Sequence, residues 1–412
     1  MSNSVAAPTR LPVWAIVAGA GAIVGMAMGL RQVMGLYLQP MTTQLGVGRE
    51  SFSTAMAVAN LVWGIGAVFS GAIADKYGAA RVVVGGALCT MAGLYVMYSA
   101  RNGADLMASG VLLGLGVSGT GITSLVGAVG RAVPAEKRIQ AIASLGMAGG
   151  IGGFIAFPYA HLLIETLGWQ SSLMVLLMTA AAMLPLAWTL SGNTDAPTGV
   201  QVKKQTLKEA FAEAFAHPSF WMLTAGFFVC GFHVAFYSVH LPAFVADKGL
   251  EPWVGVSALM MVGTANIVGT YIAGQSGKYM DKRRGLSLIY FGRVFVFVGL
   301  LFLPMTPVTV IGLSMLLGLF WLSTVPLTSG LVALFFGTSW MSMLFGFVFL
   351  SHQIGSFVGL WLAGHLYDAT KSYDMMWWIS IALAVFAAAI HWPIREKPVA
   401  RVMREQLAVV RS

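Results

Sequence analysis

The sequence has few charged residues and few cysteines. Of 412 residues, only 9% are Asp, Glu, Lys or Arg, whereas soluble domains carry about 25%. The mean hydropathy is +0.80. This scarcity of charge excludes an ordinary soluble domain and indicates a membrane protein. Cys89 and Cys230 both lie inside apolar segments, so neither an extracytoplasmic disulfide framework nor a cysteine-based metal site is expected.

Long apolar segments make up most of the sequence. A membrane-spanning helix needs about 20 apolar residues, and twelve segments qualify: 13–40, 52–73, 80–100, 104–130, 139–164, 170–190, 219–245, 254–279, 286–303, 308–336, 340–367 and 374–393. The N-terminus lacks the small-residue cleavage site of a secretory signal, so the first run is interpreted as a retained helix. The sequence therefore predicts an all-α membrane protein with twelve transmembrane helices.

Basic residues are distributed unevenly between the two sides of these predicted helices. With both termini placed inside, 18 of the 24 Lys and Arg residues fall on the inner side and four on the outer side. The positive-inside rule then predicts cytoplasmic termini in a cell (inner) membrane. This asymmetry also explains the net charge of +9, so no nucleic-acid partner is expected.

The chain contains an internal repeat. The loop around Asp75 after the second segment has a second copy around Asp281 after the eighth, 206 residues later. Gly152 and Gly355 lie in a second matching pair of motifs, offset by 203 residues. Such duplication is typical of transporters, with the substrate site between the repeats. We expect two pseudo-symmetric six-helix bundles.

The longest interior connection separates the two predicted bundles. The expected division is an N-terminal bundle over 1–190, a cytoplasmic linker over 191–217, and a C-terminal bundle with its tail over 218–412. Within the linker, Thr206 and Glu209 have the spacing of a capping box. Apolar residues follow at helical spacing, which predicts a short amphipathic helix on the inner membrane face.

The loop after the second segment resembles the signature loop of the major facilitator superfamily. The motif residues are Gly71, Asp75, Lys76, Gly78 and Arg81. Together with the degenerate copy at Asp281 and the twelve segments, the resemblance covers essentially the whole chain and implies the major facilitator fold. It also implies that the loop is a gating latch, in which Asp75 pairs with Arg81 or Arg131. The alternative is a solvated helix cap.

Within that superfamily, the sequence is most similar to the monocarboxylate and oxalate:formate type carriers. The first segment around Arg31 and the Pro-x-Phe-Trp entry of the seventh, at Pro218 to Trp221, resemble theirs. His352 lines up with a cationic site residue of the oxalate carriers. Those families place an arginine in the eighth segment, where this chain has Asn266. A dianion would prefer two fixed cations, so a monocarboxylate is the expected substrate.

Arg31 is the main candidate for substrate binding. It lies well inside the first apolar segment, and no acidic residue lies in the middle of any segment. A charge in hydrocarbon costs at least ~2.5–3.5 kcal/mol, so it persists where it faces a cavity or a partner. The guanidinium group matches the shape of a carboxylate. The alternative is a structural arginine bound by backbone carbonyls of a broken helix.

Several further polar residues lie inside apolar segments. His233 and Tyr237 share one face of the seventh, and His352 and Gln353 lie mid-span in the eleventh. With Arg31 and Asn266, they complete the predicted substrate-binding set, although each histidine has an alternative as a packing residue. Arg293 lies in a helix expected at the periphery, where extension of its side chain to the inner interface explains it.

These features predict a secondary transporter for a small organic anion. No intramembrane carboxylate is available to carry protons, so the histidines or the substrate itself would carry a proton in symport. The alternative is a proton-coupled exporter of neutral or amphiphilic compounds, although such carriers normally use a carboxylate in the cavity. An enzyme is not expected, because the sequence offers no nucleophile with a base, no metal cluster and no nucleotide loop. No cofactor is expected, and a monomer is the simplest assembly.

Overall fold

A computed structural model describes residues 12–133, 138–191, 206–277, 279–337 and 341–404. For some helical residues, including Asp75, Lys76 and Arg131, it describes the backbone and not the side chain. The regular secondary structure of the described residues is helical throughout. Each of the twelve predicted segments coincides with helical structure, which confirms the all-α fold class.

The N-terminal half is defined here as the helices before residue 192. The first predicted span bends, because a 3₁₀ segment, Val33–Tyr37, separates its two α-helices. The fourth span is interrupted at Gly121, whose backbone is extended. The fifth and sixth spans form one continuous assignment with non-helical backbone at Gly168. The helices are α1 (Val13–Gln32), α2 (Leu38–Leu45), α3 (Arg49–Tyr77), α4 (Ala79–Tyr98), α5 (Gly103–Thr120), α6 (Ile122–Ala132), α7 (Arg138–Ala181) and α8 (Met183–Ala187).

The C-terminal half is defined as the helices after residue 217. Proline occupies the first turn of α10, α11 and α13, where its missing N–H costs no hydrogen bond. The tenth predicted span is interrupted between Leu319 and Thr324. The helices are α10 (Pro218–Asp247), α11 (Pro252–Ser276), α12 (Lys282–Phe302), α13 (Pro307–Leu319), α14 (Thr324–Phe336), α15 (Met341–Thr370) and α16 (Asp374–His391).

Ten helical stretches of the described chain are long and apolar enough to cross a membrane. One of them, Ser144–Leu190, contains Gly168 with its positive φ of 75° and so accommodates two spans. Helix α3 covers the second predicted span and is 29 residues long, although it is not among the ten.

The internal repeat reappears in the helix packing. A β-carbon at Gly152 would overlap the backbone of Gly25 in α1, and one at Gly355 would overlap the backbone of Phe228 in α10. Each glycine therefore allows two helix backbones to approach closely, as small residues do in membrane proteins. The two halves also have helix breaks at equivalent positions of the repeat: α6 begins at Ile122 after one break, and α14 begins at Thr324 after the other.

A short helix, α9 (Leu207–Phe215), precedes α10. Its predicted capping box is confirmed: Thr206 N donates to Glu209 Oε2 over 2.8 Å, and Glu209 N donates to Thr206 Oγ1 over 3.3 Å. The backbone N–H of Thr206, and after it the Thr206 hydroxyl, stabilise the ionised carboxylate and so lower the pKa of the exposed Glu209 carboxyl. The helix packs against the C-terminal half, where Phe215 contacts Phe347 with ring centroids 5.1 Å apart.

The molecule has two ends, named here for reference. The connections 46–48, 248–251 and 371–373 meet at the Arg49 end. Gly78, at the end of α3, and Asp281, at the start of α12, lie at the opposite end, the Asp281 end. The charge distribution predicts that the Asp281 end is cytoplasmic.

Candidate functional site

Arg31 lies in the last turn of α1, immediately before the 3₁₀ segment. Its Nη2 donates to Asn60 Oδ1 of α3 over 2.7 Å, and its Cζ lies 4.8 Å from the centre of the Trp63 ring. Among the described residues, Asn60 supplies the only hydrogen bond to this side chain. An amide oxygen is neutral, so the charge of Arg31 is oriented without being neutralised.

Arg31 lines a small cavity of about 50 Å³. Its walls come from α1, the 3₁₀ segment, α3, α4 and α5, and α10 contributes Ala235, Ser238 and Val239. Apolar residues form most of the wall, and the polar ones are Arg31, Gln32, Asn60, Trp63, Thr90 and Ser238. The indole Nε1 of Trp63 is buried and lacks a hydrogen-bond partner within the described chain. A cation and an unused N–H donor at one apolar cavity suit an anionic ligand.

A second cavity, of about 570 Å³, lies between α1 and α7. Ser144, Tyr159 and Thr179 are its polar lining residues, and Tyr159 Oη lies 3.0 Å from Thr179 Oγ1. Of the residues that the structure describes, this tyrosine is the only ionisable one in the lining. The larger cavity therefore lacks the charge that an anion requires.

Asn60 also connects Arg31 to the C-terminal half. Its backbone carbonyl accepts a hydrogen bond of 3.0 Å from Gln353 Nε2 in α15. On the other side of that amide, Gln353 Oε1 lies 3.0 Å from His352 Nδ1. Gln353 is fully buried and His352 is 5% exposed. Two of the predicted site residues thus lie in one hydrogen-bonded chain with Arg31.

His233 and Tyr237 lie inside the C-terminal half and do not line the Arg31 cavity. His233 Nε2 lies 3.0 Å from the carbonyl of Ser380, so this nitrogen donates and carries the proton. Its Nδ1 then accepts from Arg293 Nη1 over 3.5 Å. The hydroxyl of Tyr237 lies 2.7 Å from Ser314 Oγ. Both side chains connect helices within their own half.

Arg293 does not extend to the membrane interface, and that prediction is wrong. Its side chain is 0% exposed, and Nη2 donates to the carbonyls of Phe320 and Trp321, each over 2.6 Å. These carbonyls lie in the break between α13 and α14, where helical partners are missing. Arg293 is therefore a structural arginine at a broken helix, which is the role that the sequence analysis gave as the alternative for Arg31.

Asn266 stabilises the same break. Its Oδ1 accepts from Leu322 N over 2.9 Å and from Thr270 Oγ1 over 3.2 Å. Asn266 is offset from Asn60 by 206 residues, the offset of the two signature aspartates. The repeat therefore places one asparagine beside the cavity arginine and its counterpart beside the helix break.

The predicted gating residues lie at the Asp281 end. Gly71 is inside α3, and Gly78, with φ of 95°, separates α3 from α4. The side chains of Asp75, Lys76 and Arg131 lie outside what the structure describes, and Arg81 is exposed. Asp281 lies 3.6 Å from Arg283 and 3.3 Å from Arg284, both in its own half. The latch itself stays a prediction.

Sequence reasoning missed a polar cluster at the Arg49 end, which joins the two halves. The guanidinium group of Arg49 donates to both carboxylate oxygens of Asp247, each over 2.7 Å, and to Tyr373 Oη over 3.0 Å. Asp368 accepts from the backbone N–H groups of Arg49 and Glu50 over 3.0 and 2.9 Å and so caps α3. These residues come from four separate helix ends, so no local sequence motif predicts the cluster.

His240 continues this cluster toward the interior. Its Nδ1 lies 2.8 Å from Tyr373 Oη, and its Nε2 lies 3.1 Å from Ser53 Oγ in α3. At the surface, His365 lies 3.2 Å from the carboxylate of Glu50. With the Asn60–Gln353 bond, these are the polar contacts between the halves among the described residues. They lie between the middle of the molecule and the Arg49 end.

The described chain holds no group of three His, Cys, Asp or Glu side chains arranged for a metal ion. The side chains that line the Arg31 cavity offer electrostatic attraction and hydrogen bonding. An oxyanion entering the cavity would replace or join the neutral oxygen of Asn60 on the guanidinium group. The site is suited to reversible binding.

Comparison of the sequence with known proteins finds membrane transporters, in agreement with the fold. The sequence profile of the Major Facilitator Superfamily matches residues 17–360. An uncharacterised MFS-type transporter of Bacillus subtilis (strain 168), YcxA, is 24% identical over 86% of this chain and 88% of its own length. Monocarboxylate transporter 11 of Mus musculus is 26% identical over 62% of this chain and 56% of its own length.

Solved structures show the same fold. A bacterial homologue of the human lysosomal transporter Spinster, in an inward-facing and unoccupied conformation, superposes with a TM-score of 0.73. It is 15% identical, and the match covers 93% of this chain and 97% of the other. With its all-α fold, an internal repeat and a matching profile over most of its length, this chain belongs to the Major Facilitator Superfamily of membrane transporters.

Proposed function

We propose that this transporter carries a small organic anion, most simply a monocarboxylate, with Arg31 as the anion-binding group. The observation that carries the proposal is the state of the Arg31 side chain. It faces a cavity, its hydrogen-bond partner among the described residues is the neutral Asn60, and the cavity lining contains no carboxylate. The mouse relative, monocarboxylate transporter 11, is named for the same substrate class, which supports the proposal.

Transport follows alternating access between the two halves, 1–190 and 218–412, connected by 191–217. The contacts at the Arg49 end keep that side closed in this state, with Arg49 bound to Asp247 across the halves. If the Asp281 end is cytoplasmic, the closed side is the outer one and substrate leaves toward the cytoplasm. Such a cycle requires the Arg49 cluster to break and reform once per turnover.

A proton accompanies the anion in this proposal. Within the described part of the chain, no carboxylate lines the Arg31 cavity, whereas His352 lies two hydrogen bonds from Asn60 through Gln353. Histidine changes charge close to neutral pH. Uptake of one anion with one proton would move no net charge, which suits a membrane that is negative inside.

The experiment is uptake into proteoliposomes. Radiolabelled acetate, lactate, pyruvate and benzoate are tested with and without an inward proton gradient, for the native chain and for Arg31→Lys and Arg31→Gln. We expect saturable uptake of at least one acid, weakened in Arg31→Lys, which lacks the planar fork, and abolished in Arg31→Gln. Arg101→Gln, which removes an exposed arginine at the Arg49 end, is the matched control.

Two results would contradict the proposal. One is unchanged uptake in Arg31→Gln, which would make this arginine structural. The other is the absence of uptake for every acid together with saturable transport of neutral amphiphiles. That outcome would establish the exporter alternative.

A further inference from the structure

Gln353 is the point where the two halves exchange a side-chain hydrogen bond in the middle of the molecule. Its Nε2 donates to Asn60 O over 3.0 Å. A β-carbon at Gly64, one turn after Asn60, would lie 2.7 Å from Gln353 Cγ. Glycine at this position therefore lets the glutamine reach the backbone of α3. The side chain is 0% exposed, so water does not compete for its amide.

This bond determines how the adjacent imidazole is protonated. Because Gln353 Nε2 donates to a carbonyl, the atom 3.0 Å from His352 Nδ1 is the amide oxygen, which only accepts. His352 Nδ1 therefore carries a proton, and Nε2 is the basic nitrogen of the neutral ring. The rings of Phe227 and Phe349, with centroids 5.1 and 5.6 Å away, hold the imidazole in position.

Asn60 links Gln353 to Arg31 by a second hydrogen bond. Its Nδ2 donates to Met56 O over 2.9 Å, so its Oδ1 is directed at Arg31 Nη2. The resulting chain runs from Arg31 through Asn60 and Gln353 to His352. Every bond in it lies within one half except Asn60–Gln353, which breaks if the halves separate.

We propose that Gln353 is a positioning residue that couples the protonation of His352 to the anion bound at Arg31. This inference rests on the proposed function, since it assumes that anion and proton travel together. A proton that enters at Nε2 makes the imidazole a cation and polarises the Gln353 amide. A polarised amide donates more strongly to Asn60 O and so favours contact between the halves.

The charges around His352 give the direction of the coupling. The groups that face it are Cys230 of α10, Arg293 of α12 beyond that thiol, and Arg31 of α1 through the hydrogen-bonded chain. The two arginines repel an imidazolium. An anion on Arg31 removes one repulsion and makes protonation of His352 easier, so anion and proton bind cooperatively.

Two measurements test the inference independently. The first is ¹⁵N NMR of histidine-labelled protein in lipid bilayers, with the His352 signal assigned by its loss in His352→Gln. We expect the Nδ1–H tautomer in the native chain and a mixture of tautomers in Gln353→Met, which keeps the length of the side chain and removes its amide. A native Nε2–H tautomer would overturn the inference whether or not any acid is transported.

The second measurement separates binding from coupling in proteoliposomes, with radiolabelled lactate as the probe, or benzoate if lactate is not carried. In Gln353→Met we expect the exchange of labelled for unlabelled acid at equal pH to fall less than the uptake driven by a proton gradient. The stimulation of uptake by an inward proton gradient should fall about tenfold, the size of a typical coupling between sites. Ser351→Ala is the matched control, because it removes a 2.8 Å hydrogen bond from the same helix, α15, to Thr224 O of α10, and this bond does not cross between the halves.

The outcomes distinguish this inference from the proposed function. Full gradient stimulation in Gln353→Met would overturn the coupling role while anion transport stands. Loss of exchange and of gradient-driven uptake to the same degree would also overturn it, because that pattern indicates a structural role. If the native chain carries no acid, the proposed function and the coupling both fail, and the NMR result still decides whether Gln353 positions His352.

Discussion

Arg49 and Asp247 form a two-fold hydrogen-bonded ion pair across the halves, with both N–O distances at 2.7 Å. The Arg49 side chain is 10% exposed and that of Asp247 is 25% exposed. The guanidinium Cζ also lies 3.8 Å from the centre of the Tyr367 ring. Arg49 thus contacts both α10 and α15 from the first turn of α3, and opening this end requires all these contacts to break.

The Asp247→Asn substitution should destabilise this state. It leaves a nearly buried guanidinium group without its counter-ion, and removing one partner of a buried pair costs about 3–5 kcal/mol. The partial exposure of Asp247 reduces this, and we expect a loss of about 2 kcal/mol. Thermal unfolding in detergent measures it. Asp374→Asn, an exposed carboxylate at the same end, is the control, and equal losses in both variants would contradict the assigned role.

Substitution of Arg293 should affect folding more than substrate recognition. Arg293→Met removes the donor to two carbonyls at the helix break, and each unsatisfied buried acceptor costs about 1–3 kcal/mol. We therefore expect a lower unfolding temperature and, in the folded fraction, a KM for uptake close to the native value. A KM raised as strongly as in Arg31→Lys would instead make Arg293 part of the binding site.

The orientation of the chain is tested by labelling single cysteines. Tyr279→Cys, at a position that is 87% exposed at the Asp281 end, should react with a membrane-impermeant maleimide only after the membrane is opened. Arg101→Cys, at the other end, should react in intact cells. The native Cys89 and Cys230 lie inside helices, and the native chain serves as the background control. The reverse pattern would place the termini outside.

The sequence was sufficient to predict the helices because a membrane imposes one strong local rule. Every span needs a long apolar run, and the capping box at Thr206 is likewise local, within four residues. The repeat was also detectable, since Gly152 and Gly355 each need the absence of a side chain at a helix crossing. These features depend on neighbours in sequence or on identity between two copies.

The arrangement of the polar side chains depends instead on which helices are neighbours. Arg293 was expected at the interface because hydropathy does not reveal that the break at Phe320 lies beside it. The Arg49 cluster joins residues 198 and 324 positions apart, so spacing gave no indication of it. Among the site residues that the sequence analysis did not name, Asn60 was the easiest to find. The repeat relates it to Asn266, which the sequence analysis did name.

Asn60→Asp should abolish anion transport without harming the fold. The substitution places a carboxylate where Asn60 Oδ1 now lies 2.7 Å from Arg31 Nη2. In a cavity with low dielectric, this internal anion would neutralise the guanidinium group and compete with the substrate at a very high effective concentration. We expect uptake to fall by about 100-fold or more, with an unfolding temperature equal to or above that of the native chain.

The control for this substitution is Asn102→Asp, which adds the same charge at the exposed N-cap of α5, where asparagine and aspartate are equally good caps. It should leave both uptake and stability close to native. Native-level uptake in Asn60→Asp would mean that Arg31 does not hold the substrate anion, since a paired arginine could not do so. A large loss of thermal stability in that variant would show instead that the amide is needed for packing, because Asn60 Nδ2 also donates to Met56 O over 2.9 Å. The combination of lost uptake and retained stability is therefore the result that identifies the free charge of Arg31 as the functional feature of this cavity.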